Sequence, residues 1–168
     1  MKVAETDRLV IRRLQLTDAE FILELLNDPG WLQYIGEKGV SNLKEAEHYI
    51  RSGPMDMYER LGFGLFAVEL KETGDTLGIC GLIKRDSLEY IDLGFAFLER
   101  HRRKGFAFES AEAVLKFAVD PIGLERIVAI TIESNGASKL LLEKLGFSYL
   151  SPIEAEQDLL LYSRQLAK

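Results

Sequence analysis

The segment Glu99 to Glu109, E-R-H-R-R-K-G-F-A-F-E, holds the residue types best suited to binding a charged ligand. Arg100, Arg102, Arg103 and Lys104 place four formal positive charges in five residues, and Gly105 follows at once. A strand feeds this turn and a helix leaves it. The first amides of a helix have no partner within the helix, and the macrodipole is positive there. A glycine lets the backbone approach a bulky anion without a Cβ in the way, and Ala107 keeps the first turn slim. Arg102, Arg103 and Lys104 add charge that can neutralise phosphates, so a pyrophosphate is the natural guest. The alternative for such a run is a solvated surface turn.

Other chemistries fit less well. Gly105 does not open a G-x-x-x-x-G-K-[ST] loop, and no G-x-G-x-x-G is present. The two histidines, His48 and His101, lie far apart and have no serine at a recognisable spacing, so no hydrolase triad is read. The formal net charge of −6 makes non-specific nucleic-acid binding through Arg100–Lys104 an unfavoured alternative, because such binding draws on phosphate neutralisation. Cys80 is the single cysteine, which excludes an intramolecular disulfide and is compatible with a reducing compartment. The polar stretch Met1–Arg8 is not a signal peptide, and no apolar run reaches membrane-spanning length. The expectation is a cytoplasmic chain of one domain, residues 1–168, with no membrane partner.

The elements that must position the turn follow from periodicity. Arg8–Leu14 reads as a first strand. Thr17-Asp18-Ala19-Glu20 has the form of a capping box, and Phe21, Ile22, Leu25 and Leu26 follow at helical spacing until Asp28-Pro29-Gly30. A second helical stretch, Leu43–Leu61, is broken at Gly53-Pro54. Phe63–Leu70, Leu77–Lys84 and Glu89–Leu98 read as strands. In the last, Tyr90, Asp92, Gly94 and Ala96 share one face. A helix runs from Gly105 to Val119, a strand from Arg126 to Ile132, and a helix from Asn135 to Leu145 with Ala137, Leu140, Leu141 and Leu145 inward. Gly146 ends it. Phe147–Leu150 and Asp158–Arg164 are the last strands. The pattern predicts an α/β fold, a mixed sheet of six to seven strands with about four helices on both faces.

The order strand, Arg102-x-x-Gly105-x-Ala107, helix resembles the Q/R-x-x-G-x-G/A turn of the GNAT superfamily of N-acyltransferases. Asn135-Gly136-Ala137-Ser138, leading to Leu145-Gly146-Phe147, is similar to that family's N-x-x-S…K-L-G-F helix. Thr6–Arg12, Asn27-Asp28-Pro29 and Asp92-Leu93-Gly94-Phe95 resemble the subgroup that acetylates the N-termini of ribosomal proteins, the RimJ/RimL type. The resemblance spans nearly the whole chain. It implies a mostly antiparallel sheet with a splayed parallel central pair, here Glu89–Leu98 and Arg126–Ile132.

It further implies acetyl-CoA as cosubstrate and a primary amine as acceptor, either a protein N-terminus or a small molecule. Arg102, Arg103, Lys104, Gly105, Phe106 and Ala107 would hold the pyrophosphate, the backbone of Phe97 and Leu98 would lie beside the pantetheine arm, and Asn135 would hold the arm or an ordered water. Gly94 and Ala96 agree with close approach of the arm, and equally with a twisted strand under a helix. The position where many relatives carry an acidic tyrosine is Leu142 here, whereas Ser138 matches the serine of the ribosomal subgroup. Asp92 is the candidate base and Glu69 a weaker one; a water chain could replace either. Trp31 and Tyr34, with Leu32 and Ile35, line the acceptor pocket or pack the first helices together. No metal is required, and a homodimer stays open. A CoA-binding sensor without turnover is the alternative function.

Overall fold

The computed structural model describes residues 1–36, 38–154 and 158–166. Eight strands form one sheet: β1 (Lys2–Glu5), β2 (Leu9–Arg13), β3 (Leu65–Leu70), β4 (Thr76–Ile83), β5 (Asp92–Phe97), β6 (Arg126–Ile132), β7 (Ser148–Pro152) and β8 (Leu159–Gln165), in the spatial order β1-β2-β3-β4-β5-β6-β8-β7. Every neighbouring pair is antiparallel except β5 and β6, which run parallel and pair only at Asp92↔Val128. The helices are α1 (Ala19–Leu26), α2 (Pro29–Tyr34), α3 (Leu43–Ile50), α4 (Asp56–Leu61), α5 (Phe106–Val119) and α6 (Gly136–Lys144). Among the described residues no helix is long and apolar enough to cross a membrane.

Strand alternation sends side chains to two separate cores. Phe66 and Val68 of β3, Cys80 and Leu82 of β4, and Ile127 and Ala129 of β6 bury against Ala111, Val114, Leu115 and Ala118 of α5. Leu142 and Leu145 of α6 join this cluster. On the opposite face Ala67 and Ile79 bury against Ile22 and Leu25 of α1 and Ala46 and Ile50 of α3. That second cluster reaches Ala96 of β5 and goes no further across the sheet, so β6 and β8 are left without a helical cover on this face among the described residues. Cys80 is fully buried beneath α5, and burial pushes its thiol up to about 12.

Several expectations need correction. The sheet has eight strands because β1 precedes the anticipated first one; it is a half-exposed edge of four residues, too short for its alternation to register. The cap before α1 is not Thr17 with Glu20. Asp18, one residue later, accepts the Gln15 amide at 2.8 Å and ends a 3₁₀ turn, Leu16–Asp18. Asp18 is available for that because Arg12 holds it through two bonds of 2.9 Å. The stretch after Asp28, to which the periodicity assigns no element, is the short helix α2. Gly53-Pro54 does not break the second helical stretch; the chain widens there into a π-type turn, Arg51–Met55, between α3 and α4. The helical bodies are therefore five rather than four. In α6 Leu142 is buried and Leu141 packs beside it, with Leu145 inward at the cap as expected, while Leu140 is 64% exposed and Ala137 is exposed.

Tyr58 of α4 stacks on Phe66 with ring centroids 5.4 Å apart. Its hydroxyl accepts the buried Leu14 amide at 3.0 Å and donates to the Leu65 carbonyl. Replacing Tyr58 by Phe preserves the stack and strands two backbone groups. We expect Tyr58→Phe to lower the unfolding free energy by about 1–3 kcal/mol, seen as a lower urea midpoint at unchanged slope.

Candidate functional site

β5 and β6 carry the site because they part. The Val128 amide donates to the Ile91 carbonyl at 2.9 Å, and Asp92↔Val128 is the last paired register. Beyond it β5 stays bound to β4 through Phe97, and β6 stays bound to β8 through Ile132. Since Ile91 faces β6, alternation turns the backbone groups of Leu93 and Phe95 and the Phe97 amide toward the gap. An amide-bearing chain can add there as a short strand. The Leu98 amide is not part of this edge, for it donates to Leu77 of β4 at 3.1 Å. The Phe97 carbonyl is also engaged, accepting Arg102 Nε at 2.9 Å.

At the open end of the gap the chain turns through Glu99–His101 into α5. Arg103 and Gly105 both take left-handed backbone, at φ 63° and 84°. The amides of Gly105 to Phe108 precede the first intrahelical donor, since Glu109 N–H is the one that reaches back to the Gly105 carbonyl, at 3.1 Å. These amides, beside the exposed side chains of Arg103 and Lys104, form an anion cradle.

The basic run divides by partner. Arg100 pairs with Glu24 on the surface, and Arg102 turns inward to Asp28 at 2.6 Å. Among the described residues Arg103 and Lys104 have no ion-pair partner. From the other side Arg8 supports the cradle. It donates to the Lys104 carbonyl at 3.2 Å, lies 4.5 Å over the buried Phe106 ring, and pairs with Glu109 at 2.7 Å. Glu109 also accepts the Thr6 hydroxyl at 2.5 Å. Burial would raise the Glu109 carboxyl, but Thr6 and Arg8 hold it below the usual range. Ala107 is half-buried in the first turn of α5 and packs against the first core.

Asp92 sits where the strands separate. It is 1% exposed; Oδ2 accepts Arg85 Nε at 2.7 Å, and Oδ1 is buried without a well-formed hydrogen bond. Burial pushes its pKa up to about 6, against the pull of Arg85 and a weaker one from the Ile130 amide. Asp92 shares its face with Gly94 and Ala96 and with Val128, its register partner. A cleft of ≈400 Å³ opens on that face, with Leu88, Tyr90, Arg126, Val128, Leu161 and Ser163 in its walls.

Asn135 caps α6, its Oδ1 accepting the Ser138 amide at 3.1 Å. Ser138 is half-buried in the first turn of α6, which starts from the open end of the gap. Asp92 and Ser138 thus stand at opposite ends of the splay, and no hydrogen bond joins them among the described residues. Glu69 lies on β3, two strands from β5, and is bound to Arg12 at 3.0 Å, so it is not brought to the gap. Trp31 is 5% exposed in the second core with Nε1 unbonded, whereas Tyr34 is half-exposed. Sequence reasoning gave no site role to Arg8, Asp28, Arg85 or Glu109, although Arg8 and Asp28 stand in two of the family-like motifs. Asp28 had a signal: an aspartate just before a proline is an N-cap signature.

The raised pKa of Asp92 gives a stability test. The folded state binds this proton more tightly than the unfolded chain does. The contribution is therefore present below about pH 4 and lost as pH rises to about 6, leaving a cost of roughly 3 kcal/mol at neutral pH. We expect Asp92→Asn to gain on the wild type between pH 4 and pH 7, reading urea midpoints of both at each pH. A gap between them that does not change with pH would show that Asp92 does not titrate in this window.

Known proteins place this geometry. An acetyltransferase (GNAT) domain model matches residues 8–148. The chain is 29% identical over 147 residues to the uncharacterized N-acetyltransferase YoaA of Bacillus subtilis, covering 86% of this chain and 82% of that one. It is 30% identical over 155 residues to the uncharacterized N-acetyltransferase YjdG of the same organism, covering 88% and 90%. Among solved structures, RimL, a ribosomal L7/L12 alpha-N-protein acetyltransferase in complex with coenzyme A, superposes with a TM-score of 0.85 at 15% identity over 99% of this chain and 98% of that one. The microcin C7 self-immunity acetyltransferase MccE, in complex with acetyl-CoA and AMP, gives 0.79 at 16% identity over 95% and 93%. At these identities the two structures speak for the fold. With the family model spanning most of its length, the chain belongs to the GNAT acetyltransferase family.

Proposed function

We propose that the chain, acting as one domain in the cytoplasm, transfers the acetyl group of acetyl-CoA to a primary amine by direct attack. The observation that carries this is the wedge between β5 and β6, with an unpartnered backbone edge inside it and a cationic, amide-lined cradle at its open end. The pyrophosphate of CoA fits the cradle, with Arg103, Lys104 and the amides from Gly105 to Ala107 as its contacts. The pantetheine amides fit the edge of Leu93 and Phe95. The thioester then lies within the wedge between the first turn of α6 and Asp92, its sulfur toward Ser138 and its carbonyl carbon toward Asp92. The CoA and acetyl-CoA complexes of RimL and MccE support the ligand class.

The acceptor enters from the face that α1 and α3 leave uncovered, where the cleft beside Val128 and Tyr90 opens. Its nitrogen attacks the thioester carbon and the carbon–sulfur bond breaks. Asp92, with a pKa near 6 and Oδ1 open, takes the proton that the nitrogen must lose. The Ser138 hydroxyl is the hydrogen-bond donor to the departing sulfur, a role that the buried Leu142 cannot fill. Asn135 orders the first turn of α6 around Ser138. The acceptor is an α-amine of a protein or a small-molecule amine. Of the two aromatic residues expected at the acceptor, Trp31 is enclosed and Tyr34 is half-exposed on α2 outside the walls of this cleft, where Tyr90 is the aromatic residue.

A thermal-shift titration at fixed salt tests this reading. Acetyl-CoA and CoA should each raise Tm, by roughly 5–10 °C at a hundredfold excess over Kd, and ATP should not. No shift with any of them at millimolar concentration ends the proposal. Ser138→Ala and Asp92→Asn should keep the CoA shift and lower kcat at least tenfold in an amine screen that detects released thiol. A wild type that binds acetyl-CoA and acetylates no amine in the screen is a sensor instead.

A further inference from the structure

Arg102 is the first residue of the Arg102-x-x-Gly105-x-Ala107 turn, yet its guanidinium is engaged by protein. Nε donates to the Phe97 carbonyl at 2.9 Å and Nη2 to Asp28 Oδ1 at 2.6 Å. Asp28 is buried and accepts from three donors at once: the Gly30 amide at 2.9 Å, which caps α2; the Glu99 amide at 3.2 Å, which begins the cradle turn; and Arg102 within that turn. Its neighbour Gly30 leaves room for the guanidinium, because a Cβ there would stand 2.6 Å from Nη2.

We infer that Asp28 is a positioning residue for cofactor binding, acting through Arg102, and that Arg102 itself holds the cradle rather than the phosphate. The inference rests on the CoA reading above. Two left-handed residues, Arg103 and Gly105, aim the cradle amides, and the non-glycine one costs about 1 kcal/mol or more unless its surroundings fix it. The turn is clamped on one side by Asp28 through Arg102 and on the other by Arg8 at the Lys104 carbonyl. Releasing the first clamp lets the turn relax and the amides diverge. The loss falls on affinity for the pyrophosphate and spares the edge that holds the arm. Burial would raise the Asp28 carboxyl, but Arg102 and the Glu99 and Gly30 amides hold it below the usual range, so the clamp stays charged at neutral pH.

The test is a double-mutant cycle on the whole protein, reading Kd for CoA and for S-acetylpantetheine, which lacks the nucleotide and its phosphates. Asp28→Asn and Arg102→Gln should each weaken CoA about tenfold, leave S-acetylpantetheine within twofold, and show no further loss when combined. Gly30→Ala, which displaces Arg102 without touching either charge, should do the same and stands in if Asp28→Asn does not fold. Unchanged CoA affinity in Asp28→Asn with a loss in Arg102→Gln would show direct phosphate contact and overturn the inference. So would additive losses, or a lower Tm with both affinities intact, which marks a helix cap alone. Failure of the wild type to bind CoA would sink the functional reading itself, an outcome distinct from all of these.

Discussion

One parallel pairing in an otherwise antiparallel sheet sets the rest of the structure. β5 is bound along its length to β4 and β6 along its length to β8, yet the two meet only at Asp92↔Val128. Each strand is held by its outer partner, so neither can bend in to close the gap. Backbone donors and acceptors that a sheet would normally satisfy face the wedge, forming an edge to which an extended, amide-bearing chain can pair. The helices that follow β5 and β6 begin at the mouth of the wedge because both strands point that way. One connection therefore sets the open strand edge, the cationic turn and the position of α6 together.

Charge is apportioned with equal economy. The run Arg100–Lys104 looks uniform, but its members do different work. Arg100 meets a surface glutamate and Arg102 a buried aspartate, while Arg103 and Lys104 face solvent at the cradle. The exposed pair with Glu24 is worth little to stability, whereas the enclosed pair with Asp28 links three backbone segments. Asp92 and Asp28 show the same division among acids. Both are buried; Asp28 is surrounded by donors and stays ionised, while Asp92 has one strong donor and an open oxygen, and its proton is held to about pH 6.

Much of this was legible in the sequence. β6 matches its β-branched run residue for residue, α5 begins where Gly105 ends the basic turn, and Gly146 takes the left-handed conformation its place after α6 calls for, at φ 89°. These features are set locally, by period, helix start and helix stop. What was not legible depends on partners distant in the chain. β1 is a strand because β2 lies beside it, and Asp18 caps because Arg12 steadies it. The inward turn of Arg102 depends on Asp28, 74 residues away, and the enclosure of Trp31 on α1 and α3. Periodicity placed Leu140 inside α6; the structure exposes it and buries Leu142, because the helix rolls to set Leu142 and Leu145 against the first core. The candidate site followed the same rule: the cradle was visible as a motif, whereas the ion pair that supports it was not.

The enclosure of Cys80 bears on how this enzyme can be handled. Its thiol is the only one in the chain, lies wholly beneath α5, and ionises only near pH 12. A buried thiol that stays protonated is a poor nucleophile toward disulfide and maleimide reagents. Folded protein should thus be silent to the colorimetric reagents that detect a released thiol. The same residue becomes an internal clock for opening of the first core: labelling of Cys80 proceeds only through molecules in which β4 and α5 have separated, so its rate measures how often that happens.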